Sequence, residues 1–477
     1  MYEYIIHTQL LKCKKTPQKT HSPQPRPTTP IEILKLFHRI LALGCIQAPE
    51  GFYERLWTPV LTLWYLIWQW LQPKHTLEKA VLDARRGGAD RLGSKAKPLS
   101  KGIKSKATTA YSKARQRLPL PWVRDCFLKL GAALAQLGGW QTLELPIQLL
   151  DGSTKRLRPH GDIAQQFPPH RTCRKKSYWC VARVLVSFCA QSAIAMGALI
   201  ASIHVSEQAL AVQWILEAAK RVLYIGDRNF GVWRVVRAAV QSGGHALVRL
   251  TEVRARRLLG KKRLPAALDL ALVWTPTAHD QVDPGLDKQS VPGRLIIIRA
   301  HRRGFRARPL YLFTSLTDVI AYPPQRLLEL YGWRWQVELN FRTVKSTLHM
   351  DQSEAKSAEM VRKEFYAGLM AYNLVRGLMA MAAAQAGCSA MRLSFSTVHA
   401  LLVSVLSELF LDWMSGPARK RRLLWLLEEA SAAKLPCRSK PRPNEPRAQY
   451  HKPQVFPPLK NSRAQARLAL KTALPKS

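Results

Sequence analysis

Residues 145–153 read LPIQLLDGS, and here the chain changes its period. A short apolar run gives way to Asp151, Gly152 and Ser153, which predicts a strand that emerges into a turn at Asp151. Asp commonly initiates turns, so by itself the residue is as well explained by local backbone chemistry as by function.

Downstream the strand signals continue. Tyr178–Ala190 and Ala193–His204 are two Val- and Ile-rich runs joined by a short polar break, which predicts a hairpin. Glu207–Arg221 has helical spacing, VLYIGD (222–227) reads as a short buried strand, and Phe230–Val240 reads as a helix. The order strand, strand, strand, helix, strand, helix predicts an α/β layer arrangement. Asp227 repeats the placement of Asp151, at the carboxyl end of a buried strand, where ligands of open α/β sheets bind. Helix N-capping explains the same residue equally well.

Four strand-like runs follow at 246–250, 268–274, 294–300 and 309–316, separated by loops rich in Arg, Pro and Asp. They predict a β-rich insertion over 244–322. After Pro323 and Pro324 the helical period returns at Gln325–Leu348, with further helices expected at Glu359–Ala386 and Val398–Trp413. The region 416–477 reads as a basic tail, mostly broken by proline, with one short apolar helix near Leu423–Leu427. Upstream, 1–30 reads as a flexible basic leader. Residues 31–140 read as a helical DNA-binding region, with a Gly-, Ser- and Lys-rich linker or arm at 85–113.

Composition narrows the partner. Seventy-four Lys and Arg against 31 Asp and Glu leave a formal net charge of +43 over 477 residues. A chain this basic needs a polyanion, and nucleic acid is the commonest one. A ribosome-like structural binder or a membrane-surface protein are the alternatives. Hydrophobic residues at 47% exclude wholesale disorder. The eight cysteines form no CxxC pair, so neither a disulfide framework nor a zinc knuckle is expected; Cys173 and Cys180 with His160 and His170 have the wrong spacing. The segment Met1–Pro30 has no secretory pattern. The run Leu56–Leu71 contains Pro59 and falls short of the roughly 20 residues of a membrane span, so a buried helix, no membrane contact and a cytoplasmic location are expected.

The third carboxylate lies in YGWRWQVELNFRTVK (331–345). Tyr331 is seven residues before Glu338, Arg334 four before and Lys345 seven after, so one helix would carry the four as a single polar stripe. A solvated charged face with an Arg–Glu pair is the plainer account of the same spacing. Three carboxylates from two strands and one helix nevertheless suit a hard divalent cation, which takes oxygen ligands and keeps several waters.

The pattern Tyr331, Arg334, Glu338, Lys345 resembles the YREK signature of the insertion-sequence-4 family of DDE transposases. DGST (151–154) and IGDRNF (225–230) resemble that family's two aspartate motifs, and TAYSKARQRLPLP (109–121) is similar to its N-terminal region. The resemblance runs from about 33 to 450; the first motif reads DGST where DGT is more usual. It implies an RNase H-like catalytic core, 141–243 completed by 323–350, interrupted by the β-rich insertion, with C-terminal helices over 351–415. It implies Asp151, Asp227 and Glu338 as catalytic ligands of two magnesium ions, or of manganese in their place. It implies DNA contacts for Tyr331, Arg334 and Lys345. Arg228 is a further candidate for the phosphates, and Trp333 or Trp335 for stacking on an extruded base, although core or interface packing explains the tryptophans as well. The expected function is cleavage at the element's terminal inverted repeats and strand transfer into target DNA, by a homodimer formed on DNA, in the bacterial cytoplasm at the nucleoid. A two-metal nuclease without strand transfer shares every one of these residues, and a non-catalytic nucleic-acid-binding protein would share the charge.

Overall fold

A computed structural model describes residues 30–52, 56–92, 98–137, 145–171, 176–218, 221–280, 282–302, 305–411, 414–436 and 461–473. The expected leader lies outside them. The chain divides into two compact units, 1–436 and 437–477; of the second, the helix Arg463–Ala473 is described.

Ten strands form one mixed sheet among the described residues: β1 (Ile147–Leu157), β2 (Pro169–Arg171), β3 (Lys176–Cys189), β4 (Ala195–Ser202), β5 (Leu223–Gly226), β6 (His245–Arg249), β7 (Leu268–Trp274), β8 (Val291–Arg302), β9 (Phe305–Thr314) and β10 (Gln352–Ser353). The main order is β2-β3-β1-β5-β6-β9-β8-β7, with β4 paired to β3 and β10 to β1. The chain is therefore a mixed α/β protein, as its alternation of periods predicts. β1, β5 and β6 run parallel, and β3 and β9 flank them antiparallel. The strands expected of the insertion are present, and they continue this same sheet: β6 pairs with β5, then β9, β8 and β7 follow.

Two expectations need correction here. β1 does not end at Asp151; it continues to Leu157 because β3 keeps pairing with it, Asp151 opposite Val186 and Leu157 opposite Cys180. What ends is the parallel partner, since β5 stops at Gly226. The expected single helix Gln325–Leu348 is two helices, Pro324–Gly332 and Trp335–Ser346. At their junction Trp333 and Arg334 donate to Leu330 and Tyr331, the tighter i to i−3 pattern.

The helix Pro59–Leu71 shows how the apolar segments are used. Thr58 accepts from the Leu61 amide, Pro59 opens the first turn, and twelve of the thirteen residues are buried. Apolar on every face, it can only be a core helix. It packs on the 28-residue helix Ala358–Gln385, started by Ser357, which also contacts Leu120–Gln136, Phe395–Leu409, Gly416–Ala432 and β4. That spine is long and apolar enough to cross a membrane, but 94% of its apolar window is buried inside the protein. Asn373 on it binds both the N–H and the C=O of Ala195, at 2.8 and 2.9 Å, and so fixes the spine to β4. The expected linker is only partly one, because Thr109–Arg117 is helical and buries Tyr111. Gly416–Ala432 is likewise a full helix with Leu423, Leu426 and Leu427 buried, longer than the short piece expected there.

Asp83, on the helix Leu77–Arg85, accepts from the Tyr65 hydroxyl at 3.1 Å. Burial raises its carboxyl from 3.8 to about 6, a shift worth on the order of 3 kcal/mol. The folded state thus holds the Asp83 proton more tightly than the unfolded chain. Its contribution is favourable below about pH 4 and is lost as pH rises through 6. Asp83→Asn keeps an acceptor for Tyr65 without the charge. Melting curves should show this variant above wild type at pH 7.5, with the gap closing toward pH 4; a constant gap would contradict the account.

Candidate active site

The sheet register builds the site. Leu149 on β1 lies opposite Ile225 on β5, so two residues further on Asp151, still within β1, lies beside Asp227, which stands just past the end of β5. Asp227 does not cap a helix, since the next one begins at Trp233. Its Oδ1 accepts from the Asn229 amide at 2.8 Å, which folds the chain sharply after β5. Asp151 Oδ1 accepts from the adjacent Gly152 amide at 2.8 Å. Burial is the largest influence on the Asp151 carboxyl and pushes it up to about 7; Asp227 and Glu207 add to the rise, while the Gly152 amide and the Arg334 guanidinium oppose it.

The helix Trp335–Ser346 packs across β1 and carries Glu338. Arg334 Nη2 donates to Glu338 Oε1 at 2.7 Å; the Arg334 side chain is 10% exposed and that of Glu338 40%. Burial disfavours the Arg334 charge, but Tyr331, Glu338 and Asp227 more than restore it. Arg334 therefore acts electrostatically on all three carboxylates. Its guanidinium also lies 4.5 Å from the Trp335 ring centre.

The structure thus brings Asp151 and Asp227 together and links Glu338 to them through Arg334. Among the described residues, no three of His, Cys, Asp or Glu stand close enough to hold an ion as they are. The donors are nonetheless all carboxylate oxygens, the set that magnesium prefers. Tyr331 is buried, its hydroxyl pushed up to about 12 by burial first, with Arg334, Arg249, Asp227 and Arg228 in electrostatic range. Arg228 is exposed beside Asp227, and Lys345 lines a narrow cleft with Ser153 and Thr154 of β1. Trp333 packs against the core, whereas Trp335 lies under Arg334.

Glu207, which the sequence reading passed over, opens the helix Glu207–Ala218 between the two aspartate segments. Its Oε1 accepts from Arg183 Nη1 at 2.9 Å and its Oε2 from Asn229 Nδ2 at 2.6 Å. An acidic residue in the first turn of a helix was the visible signal, and helix-dipole chemistry accounts for that without any site.

Residues 143–374 match the family model of the transposase DDE domain. The transposase InsG of insertion sequence element IS4, from Escherichia coli K12, is 26% identical over 315 residues, 64% of this chain and 68% of that protein. The transposase of insertion sequence element IS421 from Escherichia coli is 38% identical over 64 residues, 13% of this chain and 17% of its own. A piggyBac transposase solved as a synaptic complex with hairpin DNA superposes on 89% of this chain and 81% of its own at a TM-score of 0.37 and 11% identity, too loosely to bear on the site. Together with the paired aspartates and the glutamate helix, these matches define a DNA transposase of the DDE class. Within that class the matches support the insertion-sequence-4 family.

Proposed function

We propose that this transposase hydrolyses DNA at its element's terminal inverted repeats and joins the freed ends to target DNA at the site formed by Asp151, Asp227 and Glu338. The observation that carries this reading is the register that sets Asp151 beside Asp227, with the Glu338 helix across the same strand. We read β1, β3, β4, β5 and β6 with their helices as an RNase H-like core, on the support of a hairpin flanking a parallel trio. Asp151 and Asp227 would hold magnesium, or manganese in its place, from the sheet, and Glu338 from the helix. Two such ions, when bound, supply neutralisation of the scissile phosphate and activation of the attacking hydroxyl. Arg228 and Lys345 would grip flanking phosphates, with Arg334 and Tyr331 bordering the phosphate nearest the carboxylates. Trp335, or Trp333, would stack on a displaced base. Two ends must meet, so the active form is proposed to be a homodimer on DNA, working at the bacterial nucleoid.

The test uses a supercoiled plasmid carrying the native element ends, with wild type and Glu338→Ala, each in magnesium and in chelator. Wild type in magnesium should nick at the ends, and the other three combinations should not. Joined products distinguish transposition from simple nuclease action. If both proteins bind the ends alike and neither cuts, the catalytic reading is wrong.

A further inference from the structure

Glu207 touches both aspartate segments. Through Oε2 it holds Asn229, whose own amide closes the turn on Asp227. On the other side it lies against Gly152, the residue after Asp151: a Cβ built there would come within 2.3 Å of the Glu207 carboxyl carbon. Its side chain is 20% exposed and is itself held by Arg183. The helix start around it is clamped as well. Arg234, only 7% exposed, donates to Ser206 Oγ and Gln208 Oε1 at 2.9 Å each, and pairs with Asp283. Gln208 in turn donates to the Asn229 carbonyl at 2.8 Å.

We infer that Glu207 is a positioning residue that sets the spacing of Asp151 and Asp227 and thereby the affinity of their site for divalent metal. A strand-end carboxylate is otherwise free to swing, and here one carboxylate ties down the turn that carries Asp227 while walling in the backbone next to Asp151. Gly152 is then required for close approach, since its neighbour is a clamped side chain with little room to give. The inference rests on the reading of Asp151 and Asp227 as metal ligands. Groups that orient ligands without touching the metal are commonly worth 10- to 100-fold in affinity.

The experiment uses the full chain with manganese alone as the probe. Free Mn2+ is followed by its EPR signal for wild type, Glu207→Gln and Asp227→Asn, beside melting temperatures taken without metal. Glu207→Gln keeps the shape but loses one acceptor, because its amide nitrogen donates and can accept from neither Arg183 nor Asn229. We expect it to weaken manganese binding 10- to 100-fold while its metal-free melting temperature stays near that of wild type. A second arm compares end cleavage by Gly152→Ala and by Gly152→Ala with Glu207→Ala. The single variant should lose most cleavage, and the double variant should regain part of it, because the clash is gone. Unchanged manganese affinity in Glu207→Gln overturns the proposal, as does a Gly152→Ala enzyme that cuts like wild type. A melting temperature that falls in step with affinity would make Glu207 a fold support and also overturn it. If instead Asp227→Asn binds manganese like wild type, the metal-ligand reading itself is wrong. Loss in Asp227→Asn with none in Glu207→Gln removes only the positioning role.

Discussion

Arg334→Met should lose end cleavage by roughly 10²- to 10³-fold, the scale seen when one preorganised charge or donor is removed from a reacting centre. The same change should make the protein less stable without metal and more stabilised by metal. Arg334 is buried and lies in the field of Asp151, Asp227 and Glu338. Methionine fills a similar volume but leaves the carboxylates facing one another without that charge. Breaking the Arg334–Glu338 pair should cost on the order of 2 kcal/mol, below the roughly 3–5 of fully buried pairs, because the Glu338 side chain is 40% exposed. Divalent cations would then relieve repulsion that wild type already relieves through Arg334. Magnesium should therefore raise the melting temperature of Arg334→Met more than that of wild type. Arg334→Lys should not restore cleavage, since a point charge cannot reproduce the planar guanidinium held over Trp335. Equal metal-induced shifts in wild type and Arg334→Met would show that Arg334 does not share the field of the carboxylates.

The carboxylates were visible in the sequence because each ends or follows a distinctive local pattern. PIQLL and LYIG are short, mostly apolar runs that read as buried strands, and both aspartates follow directly. The pairing that joins them was not visible. Nothing local in LPIQLLDGS tells that β3 carries the ladder on to Leu157 while β5 stops at Gly226. For the same reason the strands after residue 244 looked like a separate module: each is readable alone, but that β6 pairs with β5 and hands the sheet on to β9 is a tertiary fact. The tight turn at Trp333 and Arg334 was hidden because both residues keep helical dihedrals, and only the hydrogen-bond pattern changes. Glu207 was hidden because its partners, Arg183 and Asn229, are 24 and 22 residues away in sequence and on different elements. Spacing finds residues that share a helix face; it does not find those that meet across a sheet.

Arg376→Ala should be among the most destabilising single changes in the chain, at roughly 3–5 kcal/mol. Arg376 lies on the spine helix at 3% exposure. Its Nε donates to the Tyr372 hydroxyl at 2.9 Å and its Nη2 to Asn340 Oδ1 at 3.0 Å. Nη1 meets the sulfurs of Met379 and Met391 at 3.8 Å. The guanidinium lies 5.3 and 5.1 Å from the Tyr372 and Phe395 ring centres. Aromatic faces, sulfurs and neutral oxygens thus solvate this cation in place of water. Truncation opens a cavity among these rings and leaves the buried Asn340 oxygen without its donor. Asn340 is two residues after Glu338 on the same helix, so the damage reaches the site: the helix keeps its fold but loses the tie that sets its position on the spine. Arg376→Met should recover much of the stability, because it refills the cavity and no longer buries a charge, yet it should recover little cleavage. Thermal melts and end-cleavage rates for the two variants test this separation. If cleavage returns together with stability in Arg376→Met, Arg376 fills space and does nothing to place Glu338.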